Sequence, residues 1–96
     1  MSVRTDVFFT KLVLDVLKPH KPSIIELGTM LSRIKGVERV SILIQEVDAE
    51  TETVKATIEG NDVHYDRLVD AITKNGGVVH SVDEVVIGKV HQQPHP

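Results

Sequence analysis

Alternation of apolar and polar residues is the first regular feature of this chain. In FTKLVLDVLKP, residues 9–19, Leu12, Leu14 and Val16 fall on one side, with Lys11, Val13, Asp15 and Leu17 on the other. A period of two predicts a strand, which Pro19 ends. From Ser23 the period changes. Ile24, Leu27, Leu31 and Ile34 recur at helical spacing, and Met30 widens the stripe. Ser23 and Glu26 have the spacing of a capping box, and Gly36 suits a left-handed stop, so a helix is predicted over 23–36. ERVSILIQEV, residues 38–47, and TVKATIEG, residues 53–60, alternate again. Val40, Ile42 and Ile44 share one side of the first, and Val54, Ala56 and Ile58 one side of the second. With DAET as the turn they predict a hairpin. A second helix follows, with Tyr65, Leu68, Val69 and Ile72 as its stripe. Asn61, Asp62 and His64 are its candidate caps, and Gly76 and Gly77 end it. VVHSVDEVV, residues 78–86, is a fourth strand that IGKV either extends or leaves for a short fifth.

The order β-α-β-β-α-β is the split βαβ, or ferredoxin-like, arrangement of the α+β class. Right-handed crossovers then give a four-stranded antiparallel sheet of order 4-1-3-2 with both helices on one face. We expect a polar lead-in at 1–8, one ferredoxin-like domain at 9–90, and a loose polar tail at 91–96.

The uncovered sheet face is expected to carry Val13, Leu17, Leu43 and Val47 beside Lys11, Asp15, Ser41, Thr57 and Glu59. Val85, Val86, Ile87 and Val90 add apolar surface near the C-terminal end. A chain of 96 residues has a modest core, so this surplus predicts a homo-oligomer.

Composition narrows the partners. Of all residues 41% are apolar, yet there is one Tyr, two Phe and no Trp, which disfavours an aromatic platform for nucleic acid. The net charge of −3 does not attract phosphate backbones or an anionic membrane surface. The absence of cysteine excludes disulfides, thiolate zinc sites and cysteine nucleophiles. KLVLDVL and VSILI are too short to span a bilayer, and MSVRTDVFF lacks the apolar region of a signal peptide. A cytoplasmic protein is expected, with no nucleic-acid or membrane partner and a small-molecule ligand, if any, unidentified.

Two groups of acids are candidates for chemistry. Glu46, Asp48, Glu50 and Glu52 occupy every second position around the hairpin turn. Hard cations such as Ca²⁺ or Mg²⁺ take several oxygens at short range, which such a cluster would supply. The plainer view is a solvated hairpin end, and the EF-hand spacing is missing. Asp15, Asp83 and Glu84 form the second group, with His80 and Ser81 nearby if the first and fourth strands are neighbours. They could hold a divalent metal or move protons, or simply tie a strand end together. His20, between Pro19 and Pro22, sits in a stiff loop that lacks the glycines an anion-binding turn usually needs. His91 and His95 lie in the tail. Neither a P-loop nor G-x-G-x-x-G occurs, and no catalytic triad can be argued.

LVLDVLKPHKPSI, GVERVSI, EVDAETETVKATIEGND and GGVVHSVDEVVIG together resemble domain-of-unknown-function family 211, a small archaeal family. The likeness runs from about residue 11 to residue 89, and LDVLKPHKP and HSVDEVV are its most specific pieces. It implies a ferredoxin-like fold, an archaeal cytosolic setting and ring-like or other self-assembly. It brings no activity and so no catalytic residue. His64 departs from the acidic or amide residue more usual there, which leaves the cap of the second helix open.

Three functions remain open from the sequence. The leading one is a non-catalytic, self-assembling binding or regulatory module. The second is a Ca²⁺- or Mg²⁺-binding protein using the acids above. The third is a small enzyme whose site forms between subunits, with His80 as general base.

Overall fold

The computed structural model describes residues 6–90. The lead-in before Asp6 and the tail expected at 91–96, with His91 and His95, lie outside the described residues. The elements are β1 (Val7–Pro19), α1 (Ile24–Ser32), β2 (Val37–Val47), β3 (Thr51–Gly60), α2 (Tyr65–Lys74) and β4 (Val78–Lys89). All neighbouring strands are antiparallel, in the order β2-β3-β1-β4. The ferredoxin-like order read from the sequence is the one found. Ile87, Gly88 and Lys89 of IGKV continue β4, and among the described residues no fifth strand forms.

The period-two sides of the central strands face the helices. Leu12, Leu14 and Val16 of β1 and Val54, Ala56 and Ile58 of β3 are buried, and Leu27, Leu31, Leu68 and Ile72 pack on them from α1 and α2. Each such leucine, isoleucine or valine contributes roughly 1.5–3 kcal/mol by leaving water, so this stripe dominates the fold. The capping box forms as the spacing predicted. The Glu26 amide donates to Ser23 Oγ at 3.1 Å, and the Ser23 amide donates to Glu26 Oε1 at 2.9 Å.

Helix α1 stops four residues before Gly36. The Arg33 and Ile34 amides donate to the Met30 and Leu31 carbonyls, three residues back, which tightens and closes the last turn. Gly36 acts later, in the turn into β2. It has φ of +92°, and a Cβ there would lie 2.7 Å from the Asp62 carbonyl oxygen. His64 occupies the cap position of α2, but its side chain makes no capping bond. Its Nε2 lies 3.9 Å from Asp62 Oδ2.

Bulges set which way the edge strands look. On β2 the register with β3 slips at Glu38 and at Gln45, leaving Arg39–Ile44 regular between them. On β4 the register with β1 slips at His80 and Asp83, and Glu84 onward pairs without a slip on the β4 side. The slip at Gln45 pairs Val47 with Glu52, on the helix side. Val47 was expected on the uncovered face, and one extra residue reverses its direction.

Candidate functional site

Two positions break the apolar pattern of the core. Lys18 continues the stripe of Leu12, Leu14 and Val16, and Glu52 continues that of Val54, Ala56 and Ile58. The register pairs the two directly. Lys18 is 2% exposed, and its ammonium donates to Glu52 Oε1 at 2.8 Å and to the Pro19 carbonyl at 2.8 Å. A buried lysine without an anion would be costly, and Glu52 supplies that anion. The imidazole of His20 holds the other carboxylate oxygen, with Nδ1 2.9 Å from Glu52 Oε2.

The second ring nitrogen of His20 reaches across to the hairpin turn. Nε2 lies 3.0 Å from the Asp48 carbonyl and 3.1 Å from the Ala49 carbonyl. Both nitrogens therefore face acceptors. A neutral ring has one N–H, so only the imidazolium can donate on both sides. The bond to the Glu52 carboxylate, followed by that to the Ala49 carbonyl, raises the His20 pKa above its ordinary 6.5. The Glu52 carboxyl is held below its ordinary 4.5, first by the bond from Lys18 and then by that from His20. The three groups tie the loop before α1 to the tip of the β2–β3 hairpin.

The remaining hairpin acids lie elsewhere. Glu46 pairs with Thr53, and Val47, not Glu46, stands opposite Glu52, so Glu46 and Glu52 look to opposite sides of the sheet. Asp48 and Glu50 are exposed in and beside the turn. The second acidic group lies on the uncovered face. Glu84 is 3.2 Å from Lys11 Nζ, and Asp83 is 3.8 Å from Lys55 Nζ and accepts from Ser81 Oγ at 2.7 Å. Asp15 pairs in register with Lys55 and Ser81, and its Oδ1 is buried without a hydrogen-bond partner. His80 is exposed at a bulge of β4. Among the described residues no three His, Asp or Glu side chains gather as a metal-binding group.

The uncovered face keeps Leu17 and Leu43 of the expected aliphatics, and Val78 and Val86 lie on it too, opposite Leu17 and Lys11. Val13 is buried between its register neighbours Thr57 and Glu84. Leu17 is partly exposed and Leu43 largely so. Most of the exposed aliphatic surface lies at the edges. On β4 it comprises Val78, Val82, Val85, Val86 and Ile87, with Val90 just beyond. On β2 it comprises Leu43, Ile44 and Val47. The register places Val82 and Val85 opposite the core residues Leu14 and Leu12, and Ile87 opposite Phe9, which packs against the core. These three therefore extend the core surface outward on the helix side. At the other edge, α1 and β2 bound a groove of about 370 Å³ lined by Ile24, Ile25, Gly28, Val40 and Ile42 among others.

The sequence model of domain-of-unknown-function family 211, described as uncharacterized ArCR, matches residues 10–94. This chain belongs to that family. The uncharacterized protein MJ0319 of the archaeon Methanocaldococcus jannaschii is 46% identical over 79 residues, covering 82% of this chain and 81% of that protein. The family is shared across nearly the whole fold, and its descriptions assign neither a ligand nor a reaction. Among the described residues no helix is long and apolar enough to cross a membrane.

The Lys18–Glu52–His20 cluster is the part that sequence reasoning missed. Its signal was parity. A lysine and a glutamate each in line with a buried aliphatic stripe must either end the strand or find each other.

Proposed function

We propose that this protein is a non-catalytic, self-assembling binding or regulatory module of the cytoplasm. The observation that carries this reading is β4. Among the described residues it is an edge strand, hydrogen-bonded on one side, and Val85, Val86 and Ile87 are 44%, 40% and 52% exposed in succession. An unpaired strand edge with aliphatic side chains is a template for another chain. Soluble proteins normally blunt such an edge with charge, proline, a bulge or a covering element, and the bulges of β4, at His80 and Asp83, precede this run. On the helix side of β4 the positions Val82, Val85 and Ile87 carry no charge.

The natural occupant is a second copy of the same chain, because most soluble oligomers are assembled from identical subunits. Sedimentation velocity of the full chain at micromolar concentration tests this. More than one chain per particle is expected. A particle of 10.6 kDa across that range would remove the reading.

A further inference from the structure

The chain has two asparagines, and the second, Asn75, stands directly before the glycines that end α2. In an asparagine–glycine pair the following backbone nitrogen reaches the side-chain carbonyl easily, because glycine has no Cβ in the way. We infer that Asn75–Gly76 is a site of covalent modification by deamidation, held inert by the closed end of α2 and reactive only when that turn opens.

The reaction needs no reagent but water. The Gly76 nitrogen gives its proton to solvent and attacks Cγ of Asn75. The Cγ–Nδ2 bond breaks, and the amide nitrogen takes up a proton and leaves as ammonia. A five-membered succinimide remains. Water then cleaves one of its two C–N bonds. One cut leaves aspartate at 75, and the other leaves its isomer, in which the backbone runs through the side-chain carbon. No group is oxidised or reduced.

The structure opposes the first step at both reacting groups. The Gly76 amide donates to the Thr73 carbonyl at 3.0 Å, and the Gly77 amide donates to the Ile72 carbonyl at 2.9 Å. These two bonds are the paired closure of a Schellman end, and they hold the attacking nitrogen. Asn75 Nδ2 donates to the Ala71 carbonyl at 2.8 Å, which ties the leaving group one turn back along the helix. Attack requires Asn75 Cγ and the Gly76 nitrogen to turn towards each other, so these bonds must break first. Such local opening sets the population that can react.

The helix end itself calls for this labile pair. Gly76 has φ of +83°, and a Cβ there would lie 3.3 Å from Pro19 Cγ. The Asn75 amide donates to the Ile72 carbonyl at 3.1 Å, and the Asn75 side chain satisfies the Ala71 carbonyl. Modification undoes that closure. A carboxylate at 75 has no proton to donate to the Ala71 carbonyl, and it sets a negative charge at the C-terminal end of α2, where the helix dipole disfavours one. Asn61 is an internal comparison, since the residue after it is Asp62, which carries a Cβ.

The test compares the full chain folded and unfolded in guanidinium chloride, both incubated at mildly alkaline pH. Trypsin releases Asn61 in the peptide 56–67 and Asn75 in the peptide 75–89. Deamidation makes either heavier by about 1 Da, read by mass spectrometry. In the unfolded chain 75–89 is expected to react faster than 56–67. In the folded chain 75–89 is expected to react roughly tenfold or more slower than in the unfolded chain. Equal rates for 75–89 in the two states would overturn the protection. A rate no faster than that of 56–67 in the unfolded chain would overturn the site. Two variants locate the protection in this turn. In Gly77→Ala the added Cβ lies 2.8 Å from Ile72 Cγ2 and pushes the turn open. With its fold confirmed by circular dichroism, it is expected to deamidate roughly threefold or more faster than the folded wild type. A folded variant with the wild-type rate would overturn the role of the turn. Asn75→Asp, which copies one product, is expected to melt about 4–8 °C lower, and unchanged melting would overturn the loosening of the helix end.

Discussion

Lys18–Glu52 and Lys11–Glu84 have the same chemistry and opposite surroundings. The first pair is 2% and 11% exposed at its side chains, the second 34% and 51%. The buried pair replaces a core contact, so its charges depend on each other. The exposed pair competes with water and salt. A lysine–glutamate bridge thus has no fixed worth, and its place in the register decides. Glu52 lies among aliphatics, where removing its charge strands Lys18. Glu84 lies on the uncovered face, where water replaces a lost partner.

The largest break in this comparison is Glu52→Gln. It leaves the Lys18 ammonium buried without its anion and should cost roughly 3 kcal/mol, read by urea unfolding. Replacing both partners, as Lys18→Met with Glu52→Leu, should recover most of that loss. Recovery no better than the single variant would mean that the pair does more than satisfy itself.

His20 sharpens the contrast through pH. Its pKa is raised above 6.5 on folding, so its contribution is complete below pH 6.5 and is lost as pH rises through the elevated value. The Glu52 pKa is depressed below 4.5, so its contribution is present above pH 4.5 and is lost as pH falls through the lowered value. Thermal melts should therefore show greatest stability between about pH 4.5 and 6.5 from this cluster. The decline above pH 6.5 should vanish in His20→Ala. A decline that persists in that variant would assign it to another group.

The smallest effect is expected on the uncovered face. Glu84→Gln should change stability by less than about 1 kcal/mol, and moderate salt should erase the difference. A loss comparable with that of Glu52→Gln would show that the uncovered face is covered in solution, as an oligomer contact there would make it.

Legibility followed the same division. The core faces of β1 and β3, the capping box at Ser23 and the split-βαβ order all follow from local spacing, because side-chain direction in a strand has a strict period of two. The same rule, carried two residues past Val16 and two before Val54, points Lys18 and Glu52 inward. That signal was present but obscured, since alternating acids resemble a wet hairpin end. Val47 was not legible. Its direction depends on the slip at Gln45, and a bulge adds a residue without a distinctive side chain.

The sequence by itself determined the element order, the family and the aliphatic stripes that make the core, because these rest on short-range periodicity. Only the tertiary structure brought Lys18 and His20 to Glu52, 34 and 32 residues away. It alone separated Glu46 from Glu52 and moved the exposed aliphatic surface to the sheet edges. Registers and bulges decide which distant residues become neighbours, and they are fixed by how whole strands fit together, not by any local run of residues.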